Sequence, residues 1–227
     1  MITIITIFFH MIVTKNLSHL ITQYLPDKPV IVEAGAFNGR DSIGLASKKP
    51  HATIHSFEPV PEIFAELKKN TAGFGNILCY EYALSSITGL SDFYISEHPK
   101  KPGKICQAGT LLKPKDRLLK SPISYPRVIN VKTITLDEWA ATHSISQVDF
   151  LWLDMQGNEL AALQGASKIL KTAGLLYVEV NFIEAYEHQP SAHEVNNWII
   201  QEGFIPVARD FEENPQWFFG NILYRRN

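Results

Sequence analysis

The chain has 227 residues, 45% hydrophobic and 19% charged, enough to bury a full core in an ordinary globular protein of one domain. Its 21 Lys and Arg against 23 Asp and Glu give a formal charge of -2, so no overall basic footprint recommends nucleic acid as a partner. Only two cysteines occur, with no CxxC and no histidine cluster at ligand spacing, which argues against a disulfide framework and structural zinc; no metal is expected.

The amino-terminal run MITIITIFFHMIV lacks the basic start and cleavage site of a signal peptide. It is also shorter than the roughly 20 apolar residues of a membrane span, and His10 interrupts it. It reads as an apolar packing segment, with Met11 as an alternative start, and the expected location is cytoplasmic. Leu17, Leu20, Ile21, Tyr24 and Leu25 then sit at helical spacing, and Pro26 ends the segment. Residues 1–29 are thus expected as an apolar segment and helix ahead of a domain over 30–227.

From Val30 the pattern alternates. The apolar strand Val30 to Val32 leads into helical spacing at Ile43, Leu45 and Ala46. HATIHSFEP alternates as a strand, and PEIFAELKKN follows as a helix with Pro61 in its first turn. NILCYEYAL reads as a third strand, followed by a turn at Gly89 and another strand. Between Glu97 and Arg127 the rhythm breaks, with eight Lys or Arg residues among several prolines. Two readings stay open there: a solvated surface insertion, or a lid approaching an anionic or polar substrate.

Alternation resumes with VINVKTI, a helix near TLDEWAA where Thr135 and Glu138 have capping-box spacing, and the strand VDFLWLD. The helix NELAALQGASKIL, the strand GLLYVEV, the helix AHEVNNWIIQEG and two closing strands around FIPVA and WFFGNILYR complete the chain. Strands alternating with helices predict an α/β, Rossmann-like layout with a mostly parallel sheet and helices on both faces.

Ligands of such sheets bind beyond the carboxyl ends of the strands. At the first of these ends, Gly35 and Gly39 allow a tight turn and close backbone approach. A dinucleotide fingerprint needs GxGxxG, but Glu33 holds the first glycine's place and the remaining pair reads GxxxG. A Walker loop fails too, because Arg40 and Asp41 follow Gly39. Glu33 would repel a pyrophosphate but attract an ammonium group. The second strand ends in Glu58, about 20 residues after Gly39, where a carboxylate can accept from both ribose hydroxyls. An adenosyl group joined to an amino acid suits both acids, and S-adenosylmethionine is such a molecule.

In VDFLWLDMQGNEL, Asp149 opens a strand, Asp154 ends it, Gly157 makes a turn and Glu159 enters the next helix, where its charge favours the dipole. Asp149 and Glu159 have ready structural readings, while Asp154 sits where the sheet delivers side chains to a ligand. Glu179, inside a buried strand, must be paired or face a pocket, and Asn181 follows on the same face.

VIVEAGAFNGRDSIGLA, IHSFEPVPEIFAELKKN, YALSSITG, TITLDEWAATHSISQVDFLWLDMQGNELAALQGASKIL and LLYVEVNF together resemble the FkbM-type methyltransferase family, over roughly Val30 to Phe182. The resemblance implies a class I methyltransferase fold with a seven-stranded sheet. It also implies S-adenosylmethionine as cofactor and methylation of hydroxyls on a small molecule, sugar or other glycan, or secondary metabolite. It assigns Glu33, Gly35, Gly39, Glu58, Ala83 and Asp154 to cofactor binding, and Asp154 with Glu159 to catalysis. The family usually carries a Lys two residues before this Asp and a Glu just before the Gly, where this chain has Trp152 and Gln156.

For a hydroxyl acceptor the expected base is Asp154, then Glu159, then a histidine such as His188 or His98. Two other functions remain open: a non-catalytic S-adenosylmethionine-binding protein, and a nucleotide-dependent oxidoreductase, which the missing glycine disfavours.

Overall fold

The structure is a computed structural model that describes residues 11–212 and 218–227. The first ten residues, and with them most of the expected apolar segment, lie outside the described residues.

The strands are β1 (Ile12–Val13), β2 (Val30–Ala34), β3 (Thr53–Phe57), β4 (Ile77–Tyr80), β5 (Ala83–Leu84), β6 (Gly89–His98), β7 (Lys101–Ile105), β8 (Ser124–Ile134), β9 (Phe150–Leu153), β10 (Leu175–Asn181), β11 (Phe204–Arg209) and β12 (Phe219–Arg226). The helices are α1 (Leu17–Tyr24), α2 (Arg40–Lys48), α3 (Pro61–Thr71), α4 (Arg117–Lys120), α5 (Leu136–Thr142), α6 (Glu159–Gln164) and α7 (Ala192–Gln201), with a 3-10 turn at Ile169–Thr172.

Eight strands form the main sheet in the order β1-β11-β12-β10-β9-β2-β3-β4, parallel throughout except for β12, which runs antiparallel to β10 and β11. The expected seven strands are all there, and β1 adds an eighth by pairing Ile12 with Ala208 on the β11 edge. Period-two alternation sorts the side chains onto two faces. Val32, Ala34, Leu151, Leu153, Leu176 and Val178 pack against α5, α6 and α7, whereas Ile31, Phe150, Leu175 and Tyr177 pack against α1 and α2.

The helix ends follow from local chemistry. Asn16 accepts from the His19 amide to start α1, Pro61 opens α3, and Ser191 and Glu194 close a full capping box on α7. At α5 only half of the expected box forms. Thr135 accepts from the Glu138 amide at 3.1 Å, but the Glu138 carboxylate accepts from Thr88 at 2.6 Å, and Thr88 in turn accepts from the Thr135 amide.

The stretch expected as a solvated insertion or a lid, residues 97–127, contains β7 and α4 and the start of β8, and Ile105 and Leu111 within it line a cavity. This stretch belongs to a second, four-stranded sheet ordered β5-β8-β6-β7 that also takes VINVKTI away from the main sheet. NILCYEYAL divides accordingly, β4 completing the main sheet and β5 opening the second.

Candidate active site

A cavity of about 630 Å³ lies beyond the carboxyl ends of β2, β3 and β9. Gly35, Glu58, Val60, Asp154 and Asn158 contribute from the main body, and Ala83, Phe93, Ile95, Ile105 and Leu111 from the second sheet and the chain after it. Its largely apolar lining suits a small organic ligand.

The floor depends on glycine. Gly35 has φ +86°, and a Cβ there would lie 1.8 Å from the Asp154 carbonyl oxygen, so only glycine lets β2 and β9 end side by side. Gly39 answers a different demand. It also has positive φ, but its Cβ would meet Leu67 and Thr71 at 2.8 Å, so it is a packing position between α2 and α3 and does not line the cavity.

Glu58 presents its carboxyl to the cavity wall. One oxygen accepts from the Phe37 amide at 3.1 Å and the other from the Val60 amide at 2.9 Å. Those bonds fix the group yet leave each oxygen a second lone pair. Burial nonetheless pushes it up to about 8, the two amides opposing the rise.

Glu33 has a different environment. It pairs in register with Ser56 on β3 and Trp152 on β9, does not line the cavity, and accepts from the Ser42 hydroxyl and, at 3.4 Å, from Ser56. Burial pushes it up to about 8. Its hydrogen bonds tie β2, β3 and α2 together, and its carboxyl, expected as a receptor for an ammonium group, lies outside the cavity lining. Trp152, where a Lys was anticipated, packs on Tyr177 with ring centroids 4.5 Å apart.

Asp154 does line the cavity, and the Glu179 carboxyl meets it through Gln156. Gln156 donates its side-chain amide to Asp154 at 2.9 Å and to Glu179 at 3.1 Å. Burial raises both carboxyls, Glu179 well above the usual carboxylate range. The two carboxyls are coupled, so a charge on either one favours the proton on the other. Asn181 donates to Glu179 at 3.4 Å.

Glu159 is turned the other way. It accepts from the Met155 amide at 2.7 Å and the Gly157 amide at 3.0 Å, and burial lifts it to about 7. It does not line the cavity, so its carboxyl holds the turn after β9 instead of facing a substrate. Asp149 is likewise structural, accepting from the Val30 amide at 2.7 Å. His98 and His188 are exposed and away from the cavity.

Several residues of this site carried no sequence signal as such. Asn158 donates to the Leu84 carbonyl at 2.8 Å, and the Tyr186 hydroxyl donates to Gln156 at 2.8 Å. Thr110 donates to the Gln156 carbonyl at 2.8 Å, while residues 113–117 pair with 184–187 through backbone bonds. The basic stretch is therefore clamped onto the loop after β10. Positive φ at both Gln156 and Gly157 was foreshadowed only at the glycine.

Among the described residues no group of three or more His, Cys, Asp or Glu could hold a metal ion, and no helix is long and apolar enough to cross a membrane.

A family model described as the methyltransferase FkbM domain matches residues 33–206. The 2-O-methyltransferase NoeI of Sinorhizobium fredii is 28% identical over 88% of this chain and 80% of its own. The hexuronic acid methyltransferase AglP of Haloferax volcanii is 23% identical over 74% of this chain and 62% of its own. The fold is shared with magnesium protoporphyrin IX methyltransferase of Synechocystis, solved with bound SAM, at a TM-score of 0.53 and 13% identity over 93% of this chain and 76% of that one.

Proposed function

Because this chain belongs to the FkbM methyltransferase family, we propose that it binds S-adenosylmethionine in the cavity above Gly35 and transfers the methyl group to a sugar hydroxyl. The observation that carries this reading is the placement of Glu58 and Asp154 in one apolar cavity. The relatives named for 2-O-methylation and for hexuronic acid methylation support a glycan acceptor.

The residues present fit this cofactor. Glu58 offers two fixed acceptor oxygens to a ribose diol, Gly35 lets a ligand approach the backbone, and Val60, Phe93 and Ile95 supply apolar surface for a base. Ala83 belongs to the same wall. Bound there, the sulfonium supplies an electrophilic methyl group whose transfer neutralises its charge.

The protein's own contribution is alignment and proton removal in a site shielded from water. Asp154, held by Gln156, is the base for the acceptor hydroxyl, and the neighbouring Glu179 shares its proton balance. In this reading Glu33, Gly39 and Glu159 support the site from behind.

Calorimetric titration with S-adenosylhomocysteine and with NAD tests the cofactor, and transfer of labelled methyl from S-adenosylmethionine to a panel of neutral and acidic glycosides tests the reaction. Saturable S-adenosylhomocysteine binding and base-stable methyl incorporation are expected. Binding of NAD alone would overturn the reading, and cofactor binding with no transfer to any hydroxyl acceptor would favour a non-catalytic binding protein.

A further inference from the structure

A seam of polar side chains runs from Asp154 to the molecular surface. Gln156 bridges Asp154 and Glu179 and accepts from Tyr186. Tyr186 lies beside Tyr125, and Tyr125 lies beside the Arg117 guanidinium. The seam ends on an aromatic shelf. Arg117 Cζ sits 4.8 Å from the centroid of the Phe218 ring and 6.0 Å from that of Phe219, which is 40% exposed.

Arg117 Nε and the Tyr125 hydroxyl oxygen are buried on this shelf without a well-formed hydrogen bond, although Tyr125 is within reach of both Arg117 and Tyr186. Buried polar atoms are normally well satisfied, so two groups that satisfy each other incompletely keep capacity for a ligand group. Arg117 also makes no ion pair among the described residues, although its neighbours do: Lys113 pairs with Glu187 and Lys115 with Glu184. Its main chain is fixed, with the Arg117 amide donating to Ala185 at 3.1 Å and the Lys115 amide to the same carbonyl at 2.9 Å. Among the described residues the guanidinium is thus placed without a carboxylate partner.

We propose that Arg117, Tyr125 and the Phe218 and Phe219 rings form an acceptor subsite for a sugar that carries a carboxylate. The planar guanidinium pairs with a carboxylate through parallel N–H bonds, which a neutral hydroxymethyl group cannot match. The Tyr125 hydroxyl donates to a neighbouring sugar oxygen, and the exposed Phe219 ring offers an apolar face to the ring C–H bonds. Tyr186, itself buried, and Gln156 connect this subsite to Asp154 through hydrogen bonds. The inference rests on Asp154 being the acceptor end of the methyl-transfer site.

The test is equilibrium binding to the full chain saturated with S-adenosylhomocysteine, using methyl glucuronide, methyl glucoside and glucose 6-phosphate as probes. The uronide is expected to bind at least tenfold more tightly than the glucoside, and Arg117→Gln to remove that difference without altering S-adenosylhomocysteine affinity. Arg117→Lys keeps the charge but loses the fork, and should retain part of the preference. Because the guanidinium also covers Phe218, melting and cofactor affinity of each variant establish that it is folded. Equal binding of uronide and glucoside, or a preference that survives Arg117→Gln, would overturn the proposal. A preference for the sugar phosphate over the uronide would overturn the carboxylate assignment. Failure of S-adenosylhomocysteine to bind would instead overturn the proposed function.

Discussion

Gly35 and Asp154 are in direct backbone contact at the floor of the cavity: a Cβ on Gly35 would stand 1.8 Å from the Asp154 carbonyl oxygen. The amide of Asp154 meanwhile donates to the Ala34 carbonyl at 3.1 Å. The ends of β2 and β9 are therefore packed backbone to backbone, and in the proposed site the cofactor wall and the acceptor base share that contact.

Gly35→Ala must then push these strand ends apart, in addition to straining a residue at φ +86°. Backbone strain and overpacking at a buried site together should cost about 3 kcal/mol or more of stability. Thermal melting reads the stability, and calorimetry should find S-adenosylhomocysteine binding weakened at least tenfold even at temperatures where the variant is folded. A variant that melts and binds like the parent would show that the strand ends tolerate separation.

Glu58→Ala removes the two oxygens held by the Phe37 and Val60 amides. Loss of charge-assisted bonds to the ribose should weaken S-adenosylhomocysteine by about 1.5–3 kcal/mol. Calorimetric titration checks it, and an unchanged dissociation constant would remove Glu58 from the cofactor site.

The buried acids give the free protein a distinctive pH response. Glu33 and Glu58 are pushed up to about 8 and Glu159 to about 7, all above the unfolded carboxylate value of 4.5. A raised native value means that the native state holds protons the unfolded chain has released, so these groups contribute stability fully below about 4.5 and lose it as pH rises toward 8. The melting temperature should fall between pH 5.5 and 8.5, and Glu33→Gln should flatten that fall. A ribose diol favours the charged form of Glu58, so cofactor binding should release protons near neutral pH. Titrations in buffers of different ionisation enthalpy measure that release; its absence would mean Glu58 is already charged when free.

Asp154 and Glu159 lie five residues apart but should behave as opposites. Asp154→Asn leaves the backbone contacts with Gly35 and Ala34 untouched, so cofactor affinity should stay within a few fold while turnover falls roughly 100-fold or more. Glu159→Gln places an amide against the Met155 or Gly157 N–H, costing about 1–3 kcal/mol of stability, with turnover per folded molecule close to that of the parent. Turnover, binding and melting on the same preparations separate the two roles. Full turnover in Asp154→Asn would move the base elsewhere.

Much of this molecule was legible in the order of its residues. Period-two and period-3.6 apolar patterns determine the alternating strands and helices, and right-handed crossovers leave few ways to lay them out. Gly35, Glu58 and Asp154 were visible because each follows a buried strand directly, and a parallel sheet delivers the residue after each strand to the same edge. The direction in which a side chain faces was not visible. Glu33 and Glu159 are acids beside the same motifs, yet pleat parity sends Glu33 toward Ser42 and Ser56, and the positive φ of Gln156 and Gly157 folds the turn back onto Glu159. Nor could local pattern tell which sheet a strand joins, since β5 and β8 have strand-like sequences whose partners are set by long-range pairing. That pairing closes the roof over the cavity. It also brings Arg117, Tyr125 and Tyr186 together with Gln156 from segments far apart in the chain, a meeting of side chains that only the tertiary structure decides.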